Sequence, residues 1–270
     1  MNRSSSGCSL CSRSGIDTRA HVYSRENGWA INALATLGAV SDDKEAIAAN
    51  WICANRALSD GGFRHDEEDV AGPYLGDTLS MGRAFLTLYA FTADRAWLNR
   101  AEQAAKFIAT NFKGTSGYVS SAGAGALKAK SQLDENVGLV RFANLLFHYT
   151  GKSVYRETAE HGMRFLATPH VKDHRGFLVA GLLIADREFN TPPQHLTVVG
   201  AKDDAVAKAL FAAAIKQPVI YKRVEWWDKR EGPLPNPDVE YPALERSAAF
   251  RCTETSCSPP VYLPEQLTLK

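Results

Sequence analysis

The sequence has almost no net charge, with 31 basic side chains facing 30 acidic ones across 270 residues. Proteins whose main partner is nucleic acid or an anionic membrane usually carry a basic excess, so neither partner is expected. A long hydrophobic run is also missing. The longest, FLVAGLLIA at 177–185, falls well short of the ~20 residues that span a bilayer. The first residues, MNRSSSGCSLCSRSG, lack the apolar core of a secretory signal. Cysteines are few and odd in number, five in all, unlike a secreted disulfide framework. A cytoplasmic setting is the resulting expectation. Phosphate-binding glycine patterns are absent too. TVVGAKDD carries one glycine, too little for a dinucleotide or P-loop fingerprint.

Metal and redox patterns are equally thin. The stretch GGFRHDEEDVAGPYLGDT at 61–78 packs five polar residues, His65 to Asp69, between glycine-rich corners. A calcium loop needs alternating oxygen ligands and a central glycine; consecutive carboxylates here read as a solvated loop. Cys8 and Cys11 have redox or zinc spacing, but Ser and Gly surround them where a redox motif wants a strand and a helix. Cys252 and Cys257 are read either as reduced thiols packing the C-terminal tail or as a labile disulfide, and Cys53 as a core residue. No metal and no cofactor is expected. In YKRVEWWDKREG, Glu225, Asp228 and Glu231 cancel the basic residues, so a packed flap fits better than a single-strand binder.

What is present is an apolar content of 45% against 23% charged residues, the balance of a soluble globular chain. Residues 1–20, rich in Ser, Gly and Arg, are expected to be disordered. Residues 21–180 read as helical, and 181–270 as a strand–helix unit followed by irregular chain packed over the helices. HLTVVGAKDD at 195–204 gives the strand and turn, and AVAKALFAAAI the helix.

A repeat organises the helical part. LGDTLSMGRAFLTLYAFTADRAWLNRAEQAAKFI from Leu75 overlies LDENVGLVRFANLLFHYTGKSVYRETAEHGMRFL from Leu133 without gaps. Arg83 falls on Arg141, Thr92 on Thr150, Ala101 on Ala159 and Phe107 on Phe165. Each copy is two amphipathic helices joined by a short turn, where Asp94 or Ser153 can cap the second helix. A looser copy begins at ENGWAINALATLG, setting Glu26-Asn27 against Glu135-Asn136, and GGF at 61–63 sits where SGY at 116–118 sits. Such hairpins bury their faces only against neighbouring copies. The spacing suits an α/α toroid, a mainly α fold in which inner helices line a funnel. About three hairpins are visible, so the toroid is partial.

In that arrangement the clusters RENGW, YLGDT and LDENV lie at the N-terminal ends of successive inner helices and face one mouth. Helix N-termini favour carboxylates and polar ligands, and Asp77, Asp134 and Asn136 are equally suited to be ordinary N-caps.

GPYLGDTLSMGRAFLTLYAFTADRAWLNRA, DENVGLVRFANLLFHYTGKSVYRETAE, HLTVVGAKDD and AAFRCTETSCSPPV resemble the C-terminal region of the spermatogenesis-associated thioredoxin-like proteins. Members of that family join a thioredoxin-like domain to a six-hairpin toroid like that of N-acylglucosamine 2-epimerases and six-hairpin glycosidases. The resemblance covers about residues 25–265. Two departures stand out: the thioredoxin-like domain is absent, and only half of the toroid is visible. The resemblance implies a fold more firmly than a reaction.

Sugar chemistry needs paired acid/base groups at a defined separation. The candidates at the mouth are Asp77 and Glu135, equivalent in consecutive repeats, with Glu26 in the third. Candidate binding residues are His65, Arg64, Tyr74, Asn136, Asn27 and Trp29. Epimerases of this architecture use histidines, and His65 is the one histidine in a mouth loop, which weighs against that chemistry. Three readings stay open: a sugar-active enzyme, a sugar-binding module, and a non-catalytic scaffold. The open apolar flank of a half toroid suits a second copy of the chain or a separately encoded thioredoxin-like partner.

Overall fold

The computed structural model describes residues 21–41, 47–69, 71–123, 129–169, 171, 179–253 and 256–267. The expected disorder of 1–20, and the pair Cys8 and Cys11, lie outside these residues.

The fold is mainly helical, with helices paired as hairpins. Helices α1 (Ser24–Ser41) and α2 (Ile47–Arg56) precede α3 (Leu75–Thr92) and α4 (Arg95–Asn111). Helices α5 (Leu133–Thr150), α6 (Ser153–Leu166) and α7 (Ala180–Asn190) follow. Helix α3 packs against α1, α4 and α5, and almost every residue from Leu75 to Tyr89 is buried. That explains why α3 carries little polar surface, whereas α4 and α6 are two-faced coverings. The core between them holds Phe85, Leu88, Trp97, Ile108, Leu139 and Leu146.

The repeat shows in the turns as well as in the helices. Ala93 after α3 and Gly151 after α5 are 58 positions apart, and both take left-handed conformations, φ 53° and 68°. Each donates its N–H to a carbonyl of the preceding turn, Tyr89 O at 2.8 Å and Phe147 O at 2.7 Å, closing the helix C-terminus. Asp94 caps α4 as expected, accepting from Ala96 N at 2.9 Å. Ser153 does not cap α6. The helix begins at Ser153 itself, with Lys152 as N-cap and no side-chain capping bond.

The linkers are anchored by one repeated device. Phe63 N–H donates to Thr78 Oγ1 at 3.1 Å. Under the 58-residue shift Thr78 becomes Asn136, and Tyr118 N–H donates to Asn136 Oδ1 at 2.8 Å. Asn136 Nδ2 returns a bond to Tyr118 O at 2.9 Å. Both anchors are buried. Asn136→Ala is expected to cost about 1–3 kcal/mol, because it strands a buried N–H and C=O. Urea unfolding checks this; a cost near zero would mean that water replaces the side chain.

The C-terminal region is more regular than expected. Strand β1 (Gln194–Val199) leads to helix α8 (Ala205–Ile215), as read from the sequence. Two further strands lie where irregular chain was expected, β2 (Lys222–Trp227) and β3 (Ala248–Cys252). The sheet order is β2-β1-β3, with β2 parallel and β3 antiparallel to β1. Strand β2 hides from a pattern reading because its buried residues include ions: Arg223 and Glu225 are both buried and paired at 2.6 Å. Beneath the sheet, Leu196, Val198 and Val224 pack on Leu210 and Phe211 of α8. Tyr149 of α5 accepts from Val224 N at 3.0 Å, tying the sheet to the helices. Cys252 and Cys257 form a disulfide. Cys53 is only partly buried, at the margin of the helical core.

Candidate functional site

The N-terminal ends of α1, α3 and α5 do meet. Asp77, in the first turn of α3, is fully buried. It does not cap its own helix, α3. Its Oδ1 accepts from Arg25 N of α1 at 2.9 Å and lies 2.9 Å from His65 Nδ1. A carboxylate of one repeat thus satisfies an orphan N–H at the helix start of its neighbour. The N-caps of α3 and α5 are Tyr74 and Gln132, and neither side chain makes a capping bond.

Arg25 extends from α1 across the ends of α3 and α5. Its Nη2 lies 3.6 Å from Glu135 Oε1. It crosses directly over Gly76, where an added Cβ would fall 2.5 Å from Arg25 Nε. Burial raises the proton affinity of the Asp77 carboxyl, against the opposing pull of His65 and Arg25. Burial raises that of Glu135 as well; Arg25 opposes it and the charge of Asp77 adds to it. Asp77 Oδ2, Glu135 Oε2 and Arg25 Nε are buried without hydrogen-bond partners.

The other candidates divide between this cluster and the surface. His65 stacks on Tyr23, centroids 4.6 Å apart, and meets the edge of Tyr74 at 5.9 Å. Arg64 donates to Asn55 O at 2.9 Å and Glu67 O at 3.3 Å, so it pins its own loop. Asn27 Nδ2 donates to Tyr23 O at 2.8 Å within its helix start. Asn136 is the buried linker anchor described above. Glu26 and Trp29 are exposed, because α1 presents that side away from α3. The acidic loop folds back on itself: Asp66 meets His21 at 2.5 Å and Arg56 at 3.5 Å, and Asp69 accepts from His65 N at 3.0 Å. Among the described residues no group of His, Cys, Asp and Glu is placed to hold a metal.

A cavity of about 670 Å³ opens further along the same inner helices. It lies between α1, α3, α5 and α7, with segment 215–222 along its rim. Neither Asp77 nor Glu135 lines it. Its apolar wall includes Leu86, Phe91, Phe142 and Leu145, and its polar groups include Asn32, Arg83, Thr87, Arg141, Glu188 and Tyr221. Glu188 of α7 grips Arg141 through two bonds of 2.8 Å. Thr87 donates to Asn32 Oδ1 at 2.6 Å, and Tyr221 accepts from Asn144 Nδ2 at 2.8 Å. Lys222 Nζ donates to Gln217 O at 2.7 Å and also to Ile215 O, holding the rim segment to the end of α8.

No sequence expectation pointed to this cavity. A signal was nonetheless present: Arg83 and Arg141 coincide under the repeat, each in the middle of an otherwise apolar inner helix. A long cation repeated on a buried face calls for a partner or a ligand.

No protein-family model matches the chain, and no curated protein matches it. Two solved structures from Bacteroides thetaiotaomicron resemble it in part. A family 76 glycoside hydrolase from a bovine strain gives a TM-score of 0.46 at 16% identity, covering 53% of this chain and 34% of that one. A selenomethionine derivative of a GH76 α-mannanase gives 0.46 at 15% identity, covering 55% and 45%. The chain therefore spans between a third and a half of the length of these enzymes.

Proposed function

We propose that the chain binds a small sugar-like molecule in the cavity between its inner helices. The observation that carries the reading is the cavity itself. Its ~670 Å³ falls in the range of small-molecule sites, about 300–1,000 Å³. Apolar and aromatic walls beside hydroxyl, amide and guanidinium groups suit a polyhydroxylated ring. The reading moves the ligand from the ends of the inner helices to their middle. Among the described residues no helix is long and apolar enough to cross a membrane, and a cytoplasmic setting belongs to the same proposal.

The enzymatic form of this reading assigns acid and base roles to Asp77 and Glu135. The raised proton affinity of both carboxyls supports it; the complete burial of Asp77 and the position of both residues outside the cavity lining speak against it. The exposed Glu26 stands apart from them.

A thermal-shift screen against monosaccharides, disaccharides and their phosphates tests the binding. A ligand that binds the native state alone raises Tm by mass action. The wild type should gain a few degrees with at least one compound, and Ala90→Trp, which fills the cavity, should lose that gain. A wild type indifferent to every compound would defeat the proposal.

A second reading, an interaction domain, is favoured by exposed Trp29, Leu34 and Leu37 on α1 with Trp51 on α2, each 44–57% accessible. Large apolar side chains left exposed in number are a feature of contact surfaces. Within it belong the kinship with the thioredoxin-like family and a partner that is either a second copy or a thioredoxin-like protein. Analytical ultracentrifugation showing a clean monomer would count against self-pairing.

A further inference from the structure

We infer that the ligand of the inner-helix cavity carries a compact oxyanion, a phosphate or a carboxylate, and that Arg83 receives it beside Arg141. The inference rests on the cavity being the ligand site and adds the chemical class of what enters it.

The charge balance of the lining comes first. Arg83, Arg141, Lys216 and Lys222 face one carboxylate, Glu188. The whole chain is nearly neutral, so this excess is local. Clefts lined by one sign of charge concentrate ligands of the other.

The states of Arg141, Lys222 and Arg83 come next. Arg141 is held bidentate by Glu188 at 2.8 Å, and Lys222 is held by the carbonyls of Ile215 and Gln217. The half-buried Arg83 has no hydrogen bond or ion pair with any described residue. Burial and the neighbouring Arg141 charge both act against its protonated form, and Glu188 relieves it only in part. A guanidinium that stays charged under those conditions keeps its planar fork of N–H donors free, the geometry that grips carboxylate and phosphate oxygens.

The repeat explains how two guanidiniums come to flank one space. Arg83 and Arg141 hold the same position in consecutive copies, and α3 packs on α5. Arg83 passes close to Gly138 of α5, where an added Cβ would lie 3.6 Å from Arg83 Nη1. Asn32 and Thr87, bonded to each other at 2.6 Å, line the same space and offer contacts to hydroxyl groups.

Isothermal titration and thermal shift test this with glucose, glucose 6-phosphate, glucuronate and inorganic phosphate, on wild type, Arg83→Met and Arg83→Lys. Glucose 6-phosphate, glucuronate or both should bind the wild type at least about tenfold more tightly than glucose, the contrast expected of a charge-assisted bidentate contact. Arg83→Met should lose that margin and Arg83→Lys keep part of it. Inorganic phosphate should compete only if phosphate is the group received, which separates the two sources of the oxyanion. Without ligand, Arg83→Met should melt no lower than wild type, since it removes an unpaired cation; a clear drop would give Arg83 a structural role and overturn the inference. Glucose binding as tightly as its charged relatives, unaffected by Arg83→Met, would overturn the inference and leave the cavity reading standing. Absence of any shift or heat with all four compounds would overturn the inference, and the wider sugar screen then decides the cavity reading separately.

Discussion

Asp77→Ala should destabilise the chain by about 2–4 kcal/mol, the range for removing a buried, charge-assisted hydrogen-bond acceptor and stranding its donors. The residue is fully buried and serves Arg25 N of α1 and His65 of the linker at once. Losing it leaves an unpaired helix-start N–H, and it frees Arg25, which reaches on to Glu135. Asp77→Asn should cost less, because the amide oxygen still accepts while the buried charge is gone.

The pH dependence follows from the same site. Burial raises the folded-state proton affinities of Asp77 and Glu135 above their ordinary values. Between about pH 4 and those raised values, the native state holds more protons than the unfolded one. Stability contributed by these two groups must then fall as pH rises through that window. Urea unfolding at a series of pH values should show the decline, with a shallower slope in Asp77→Asn. A contribution that rises with pH there would mean that Arg25 and His65 outweigh burial.

Arg223→Ala should cost about 3–5 kcal/mol, the penalty for leaving a buried charge without its partner. Arg223 and Glu225 are almost inaccessible in β2 and lie 2.6 Å apart. Glu225 also meets His195 at 3.0 Å, His195 meets Thr197 at 2.9 Å, and Tyr241 donates to Thr197 at 2.7 Å. Arg223 further binds Asp238 at 2.6 Å and Asn236 O at 3.0 Å. Removing both charges, as Arg223→Met with Glu225→Gln, should recover much of the loss. A double-mutant cycle measures the coupling, and a single-variant cost below about 1 kcal/mol would show that water reaches the pair.

Other residues were readable only halfway. Asp94 was legible as a cap because a cap and its helix are adjacent in the chain. Ser153 fails because the 58-residue shift sets Lys152, not Ser153, at the position of Asp94, so its hydroxyl stands one residue past the N-cap. Asp77 was legible as a residue of importance at the inner-helix ends. Its partner, Arg25, lies 52 positions away, and no local pattern names it.

The sequence by itself determined the helical hairpins, their 58-residue repeat, the strand–helix unit and the meeting of the inner-helix ends. These follow from 3.6-residue periodicity, turn residues and self-similarity, all of which act over short stretches of chain. The tertiary structure alone decided that Asp77 serves a neighbouring helix, that Arg223 and Glu225 form an ionic strand interior, and that two equivalent arginines differ in fate. Arg141 finds Glu188 across α7 while Arg83 faces the cavity. Burial and long-range pairing set those outcomes, because a charge's free energy depends on what packing places around it.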